Sequence, residues 1–418
     1  MKPYDRSAPE WQRLISAVGD GGEELADALG YLYSLYEPEL IDWFASLYDP
    51  EIGGYYYSES ARDNESCEYQ GRFAKLLPDA ESTYQALRFF RSSGMTEDNF
   101  DRSIPPKMKE QIVSFILNLQ DPDGFFYHPQ WGKNIGISRR GRDAWWCKDM
   151  LDVFGVKPKY PIMSASTTSD EKKEILIPDH LKSAESFRDY LSGLDIAEGS
   201  YGVGNTLASQ INQIKAMGYT DILIDFLDAH QHSESGHWHP VSNYSAINGL
   251  MKISGLYAHA SRPIPNAEAA ACSAIDAIVS DEPIVGIVDL WNTWVSVNQI
   301  AANQRRFAGE GGDRLADGII ASVRRIAPAA IRCSRDKIEP FKKPRGAFSY
   351  CRDFPAPCSQ GALITVPLLY EGDVNATLMG CSELRTAIYS SLGLSSVAVP
   401  LYDGDDYKRY LALLEEKI

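Results

Sequence analysis

The segment Leu119-Gln-Asp-Pro-Asp-Gly-Phe-Phe126 follows the run Lys109–Leu119 (KEQIVSFILNL) and breaks it abruptly. Apolar residues three and four apart mark that run as an amphipathic helix. Asp121, Pro122, Asp123 and Gly124 then read as a turn. Proline fixes φ, the aspartates bond their own backbone, and glycine accepts a positive φ. The two phenylalanines begin a short extended piece. Helix, glycine turn, aromatic strand: this unit organises the reading of the rest.

Degenerate copies of the turn stand at Asp49–Tyr56 (DPEIGGYY), Glu198–Tyr201 (EGSY), Glu234–Trp238 (ESGHW) and Arg345–Phe348 (RGAF). With 32 glycines and 11% aromatic residues, about three or four glycine-x-aromatic matches arise by chance, so context carries the repeat. Each copy adjoins a helical stretch, and a helix with a polar start follows. Those starts are Pro78-Asp-Ala-Glu-Ser-Thr, Gly141-Arg-Asp-Ala, Gly204-Asn-Thr-Leu, Ser242-Asn-Tyr-Ser and Pro357-Cys-Ser-Gln. Ser, Asn and Asp at such places cap free backbone N–H groups. Periodic apolar residues also predict helices over Glu23–Tyr36, Ala208–Met217, Thr220–Ala229, Ala246–Ala258, Ala267–Val279, Leu290–Phe307 and Ala316–Ile326. Strand-like alternation long enough for a core sheet is nearly absent. The expectation is an all-α protein of repeated helical hairpins, one domain over 1–418, with Val156–Pro178 as a flexible loop or flap.

Composition narrows the function. The 418 residues carry 57 Asp and Glu against 41 Lys and Arg, a net charge of −16. Such a surface repels a phosphate backbone, so no nucleic-acid partner is expected. No apolar run reaches the about 20 residues of a membrane span. The first residues lack a signal-peptide core, and the seven cysteines are odd in number and scattered. Both point to reduced thiols and a cytoplasmic location.

The Gln120–Phe126 stretch resembles the Gln-x-x-Asp-Gly-aromatic repeat of the terpenoid cyclase and protein prenyltransferase superfamily. More broadly, the hairpin pattern resembles α/α toroids, including six-hairpin glycosidases and polysaccharide lyases. The resemblance spans about residues 20–395 and implies a ring whose inner-helix starts surround a central cavity. It would bring Asp79, Glu81, Arg142, Asp143, Asn205, Gln210, Asn243, Tyr244, Asn292 and Gln360 to that cavity. Tyr55, Tyr56, Phe126, Tyr127, Tyr201 and Trp238 would stand at its rim. Aromatic walls with a few convergent polar groups suit a sugar, whose ring face stacks while its hydroxyls bond.

The expected function is therefore a carbohydrate-active enzyme, a glycoside hydrolase or polysaccharide lyase, acting on a small-molecule or oligosaccharide substrate. The catalytic candidates are His239, Tyr244, Asp79, Glu81 and Asp143. Substrate contacts are expected from Tyr56, Phe126, Tyr201, Asn205, Trp238, Asn243 and Asn292. A hydrolase pairs two carboxylates, here Asp79 or Glu81 with Asp143 or Glu198. A lyase uses a base and an acid, and His239, Asn243 and Tyr244 with Arg305 or Arg306 look like the sets of toroid lyases. The acidic balance weighs against a polyanionic substrate unless the cavity is locally basic. Four of seven histidines lie in His230–His239. His237 and His239 share a face there, a possible zinc pair in a chain otherwise expected to need no cofactor.

Two alternatives stand beside this. One is a non-catalytic glycan- or lipid-binding toroid. The other is a terpenoid cyclase-like enzyme, for which Asp403-Gly-Asp405-Asp406 matches an Asp-x-Asp-Asp motif. Its position before the helix Tyr407–Glu416 also suits a simple N-terminal cap. Glu371–Thr377 (EGDVNAT) reads as a turn and cap, or as a wall of the cavity.

Overall fold

In a computed structural model, which describes residues 4–95, 103–164, 167–168, 170 and 175–418, the chain is mostly helical. The first helices are α1 (Pro9–Val18), α2 (Gly22–Tyr33), α3 (Glu39–Leu47) and the short α4 (Glu59–Asp63). Next come α5 (Ala80–Ser93), α6 (Pro106–Leu119) and α7 (Ile137–Val153). The middle of the chain forms α8 (Ala184–Ser192), α9 (Ile196–Ser209), α10 (Ile211–Ala216), α11 (Thr220–His230) and α12 (Tyr244–Ala260). Then follow α13 (Ala267–Val279), α14 (Ile287–Phe307), α15 (Gly312–Ile338), α16 (Val374–Gly380), α17 (Ser382–Ser391) and α18 (Gly404–Glu415). Among the described residues the strands make three antiparallel hairpins. They are β1 (Tyr48–Asp49) with β2 (Gly54–Tyr55), β3 (Ser66–Tyr69) with β4 (Arg72–Lys75), and β5 (Cys358–Ser359) with β6 (Ala362–Leu363). No described helix is long and apolar enough to cross a membrane.

Helix α5 packs on α7, α7 on α9, α9 on α12, and α12 on α14. Helix α14 packs on α16 and α17, and both of these return to α5. Outside this succession, α6 lies against α7, α11 against α12, α13 against α14, and α15 against both α14 and α2. A continuous apolar core runs from Trp11 to Leu414 through these helices.

The glycine-turn unit is real at four of its five sites. Gln120 bridges to Phe126 across Gly124, at φ 88°. Gly53, Gly236 and Gly346 likewise take positive φ. The fifth, Glu198–Tyr201, is a correction: it lies inside α9, which bends at Gly199 (φ −116°, ψ 28°) but does not turn. Three expected helix starts are also corrected. Gly141 and Gly204 sit inside α7 and α9, and Pro357–Gln360 leads into a β-hairpin. The interior glycines serve close packing. A Cβ at Gly141 would lie 2.1 Å from the Ser209 carbonyl oxygen, and one at Gly249 would lie 2.2 Å from Ser200 Oγ. Gly141→Val should therefore push α7 off α9 and cost about 1–3 kcal/mol in chemical denaturation. An unchanged urea midpoint would show that the crossing tolerates the added volume.

Part of the 156–178 loop lies outside the described residues. Its described ends hold no helix or strand, and they pack on the glycine turn. The Leu176 N–H donates to the Asp123 carbonyl, and Ile175 lies against Gly124.

Candidate functional site

The start of α5 is fixed by its own sequence. Asp79 caps the helix, accepting from the Ser82 N–H at 2.8 Å, while Ser82 Oγ accepts from the Asp79 N–H. Thr83 Oγ1 accepts from the Tyr55 N–H at 3.0 Å, tying this turn to the β1–β2 hairpin. From here Glu81, Gln85 and Arg88, four and three residues apart, descend one face of α5 into a cavity of about 360 Å³. That size falls within the range of small-molecule sites.

Helix α7 adds Arg142, Trp145 and Trp146 to the wall, and α9 adds Tyr201. Lys252 and His259 come from α12, Trp291 from α14, and Asn375 from α16. Tyr57, Tyr350, Ser359 and Gln360 also line the cavity. Arg72 on β4 donates to the Gly361 carbonyl at 2.8 Å and holds the two outer hairpins together. The buried atoms Gln85 Oε1 and Trp291 Nε1 have no hydrogen-bond partner among the described residues.

Behind Glu81 lies a buried ion cluster. Arg139, 0% exposed, donates from Nη1 to Glu81 and from Nε to Asp143, each at 2.9 Å. Its Nη2 faces Asp79 at 3.6 Å. Trp131 and Trp146 rings flank the guanidinium at 4.7 and 5.5 Å. Burial opposes the charge on Arg139, but the three carboxylates outweigh it and keep the group ionised. Burial raises the Glu81 carboxyl against the pull of Arg139, and it pushes Asp143 up to about 7. Of the cluster, Glu81 alone reaches the cavity wall.

His128 braces the cluster from the repeat turn. Its Nε2–H donates to the Pro78 carbonyl at 2.8 Å, and its Nδ1 accepts from the Gln130 N–H at 3.2 Å. Both ring nitrogens are thus satisfied in the neutral form, and burial lowers the imidazole from 6.5 to about 4. The unfolded chain takes up this proton first as pH falls. The residue's stabilisation is therefore complete above about pH 6.5 and is lost as pH drops through about 4. His128→Gln should flatten that part of the stability–pH profile, read as urea midpoints across the range. An unaltered slope would assign the acid sensitivity elsewhere.

The sequence candidates divide sharply. Glu81 and Tyr201 line the cavity, as do Arg142 and Gln360. Asn205 stands one step back, accepting from Arg142 Nη2 at 2.7 Å, and Asp79 and Asp143 stand behind Glu81. The others lie apart from the cavity. His239 is half-buried in its loop, with Nδ1 turned to the Val241 peptide. Tyr244 is buried, donating to the Ala277 carbonyl at 3.0 Å and accepting from Lys337 Nζ at 2.6 Å. Trp238 and Phe126 are core residues, and Trp238 Nε1 donates to the Leu227 carbonyl. Asn243 caps α12, and Tyr56 donates to Asp49. Asn292 is buried between α14 and α12, where it donates to Asn248, which in turn donates to Asp289. Gln210 pairs with His180, and Arg305, Arg306 and Glu198 are exposed.

His237 is buried, with Nε2 on Ser242 Oγ at 2.9 Å. Among the described residues, no three His, Cys, Asp or Glu side chains converge as a metal set. Asp403 caps α18, accepting from the Asp405 and Asp406 N–H groups, and Asp373 caps α16 while Asn375 reaches the cavity. Gln85, Arg88, Trp145, Trp146, Lys252 and Trp291 were not among the candidates. Their signal was the helical spacing itself: 81/85/88 on α5 and 142/145/146 on α7 continue single faces inward. Compared with protein-family models, curated proteins and solved structures, the chain matches none.

Proposed function

We propose that the chain is a carbohydrate-active enzyme, of hydrolase or lyase type, built as an α/α toroid and working in the cavity beside Glu81. The toroid reading rests on the succession of helix contacts that leaves α5 through α7 and returns to it through α16 and α17. One observation carries the substrate class. Gln85 offers an acceptor and Trp291 a donor, both unpaired among the described residues, in a wall that also holds Trp145, Trp146, Tyr57, Tyr201 and Tyr350. Buried polar atoms without partners cost free energy unless a ligand satisfies them, and sugar hydroxyls do so while the aromatic rings stack on the ring face. Glu81 is the acid–base group of this reading, because burial raises its carboxyl above the usual carboxylate range and Arg139 fixes its orientation.

A product screen on plant and microbial glycans tests the reading. Hydrolysis releases reducing ends alone, whereas elimination also leaves the ultraviolet absorbance of a conjugated uronate. Glycan binding without turnover would make the chain a binding toroid, and the absence of both would remove the carbohydrate reading.

A further inference from the structure

The sign of charge inside the cavity is opposite to that of the chain as a whole. Glu81 is the one Asp or Glu on the wall among the described residues, and its carboxyl is turned to Arg139 behind the wall at 2.9 Å. Arg88 is balanced by two hydrogen bonds to Glu383 at 2.9 and 2.7 Å. Arg142 and Lys252 are different. Arg142 bonds the neutral Asn205 and makes no ion pair among the described residues. Lys252 makes neither an ion pair nor a hydrogen bond there, and its Nζ lies 6.0 Å from the Tyr201 ring. Its stem is fixed against α9, where a Cβ at Gly204 would come within 2.8 Å of Lys252 Cβ.

We infer that Arg142 and Lys252 form an anion subsite in the cavity, which takes the carboxylate or sulfate of an acidic sugar. This deepens the carbohydrate reading and rests on it. Positive charge on Arg142 opposes positive charge on Lys252 across the one cavity they line, and an anion between them turns that opposition into two charge-assisted bonds. Burial, with Arg142 and Arg88 adding to it, holds the Lys252 ammonium well below its ordinary range, the mark of a cation lacking a counterion. The net charge of −16 keeps free polyanions from the outer surface, so the cavity is where an anionic group gains. A neutralised carboxylate is also what elimination next to a uronate requires, so an occupied subsite tips the proposed chemistry toward a lyase.

The test is titration of the full chain with glucuronate, glucose and sodium sulfate, followed by heat or by chemical shifts. Glucuronate should bind at least about tenfold more tightly than glucose, and Lys252→Met should remove that advantage. Equal affinity for glucose and glucuronate in the unaltered protein would overturn the subsite and leave the carbohydrate reading standing. Sulfate binding that is lost in Lys252→Met, with neither sugar bound, would uphold the subsite and remove the carbohydrate reading. Failure of all three probes would overturn the subsite. The wild-type comparison decides the matter even if Lys252→Met does not fold.

Discussion

Arg139→Met should lower stability by about 3–5 kcal/mol, the cost of stripping the partner from buried charges. The guanidinium answers Glu81 and Asp143 at 2.9 Å and Asp79 at 3.6 Å, with no exposed surface. Methionine fills much of the same volume, so the loss reads the charges and not a void. Left alone, the three carboxyls must take up protons to stay buried. The Glu81 and Asp143 carboxyls, already raised by burial, would rise further above their unfolded values, so the destabilisation should grow as pH rises from about 5 to about 8. Arg139→Lys should recover little, because one ammonium cannot reach three carboxylates in different directions. Urea midpoints at several pH values measure all of this. A loss under about 1 kcal/mol, flat with pH, would show that the cluster is not held by this residue.

Glu81→Gln should lower turnover of the cleaved glycan by about 10²–10⁴-fold, the usual share of a positioned acid–base group. The amide oxygen still accepts from Arg139 Nη1, so the fold should survive, with a melting temperature close to that of the parent. Asp79→Asn and Asp143→Asn invert the pattern. Those residues sit behind the wall, so stability should suffer more than turnover. Retention of more than about a tenth of the activity by Glu81→Gln would move the acid–base role to another residue.

Helices such as Lys109–Leu119 and Ala267–Val279 were legible because burial of one face leaves a 3.6-residue period in the sequence. The capping reading held at Asp79, Asn243, Asp373 and Asp403, where a short side chain meets a free N–H nearby in sequence. It failed at Gly141 and Gly204, whose reason lies across a helix crossing and leaves no local trace. The site was half legible for a related cause. A toroid reading expects chemistry at helix starts, and among those residues Glu81 lines the cavity. The wall, however, continues along mid-helix faces to Arg88, Trp145 and Lys252. The histidine cluster drew notice by its density, yet its order comes from local bonds within the loop.

The return of α16 and α17 to α5 also bears on how the molecule comes into being. Arg88 cannot meet Glu383 until 295 more residues have been joined to the chain. At about 5–20 residues per second, a ribosome needs roughly 15–60 s to cover that distance. For that interval Phe89 and Phe90, fully buried in the finished protein, wait without the C-terminal helices beside them. A nascent chain in this state exposes apolar surface of the kind that holdase chaperones bind, and the cavity wall is complete only once α16 brings Asn375 to it.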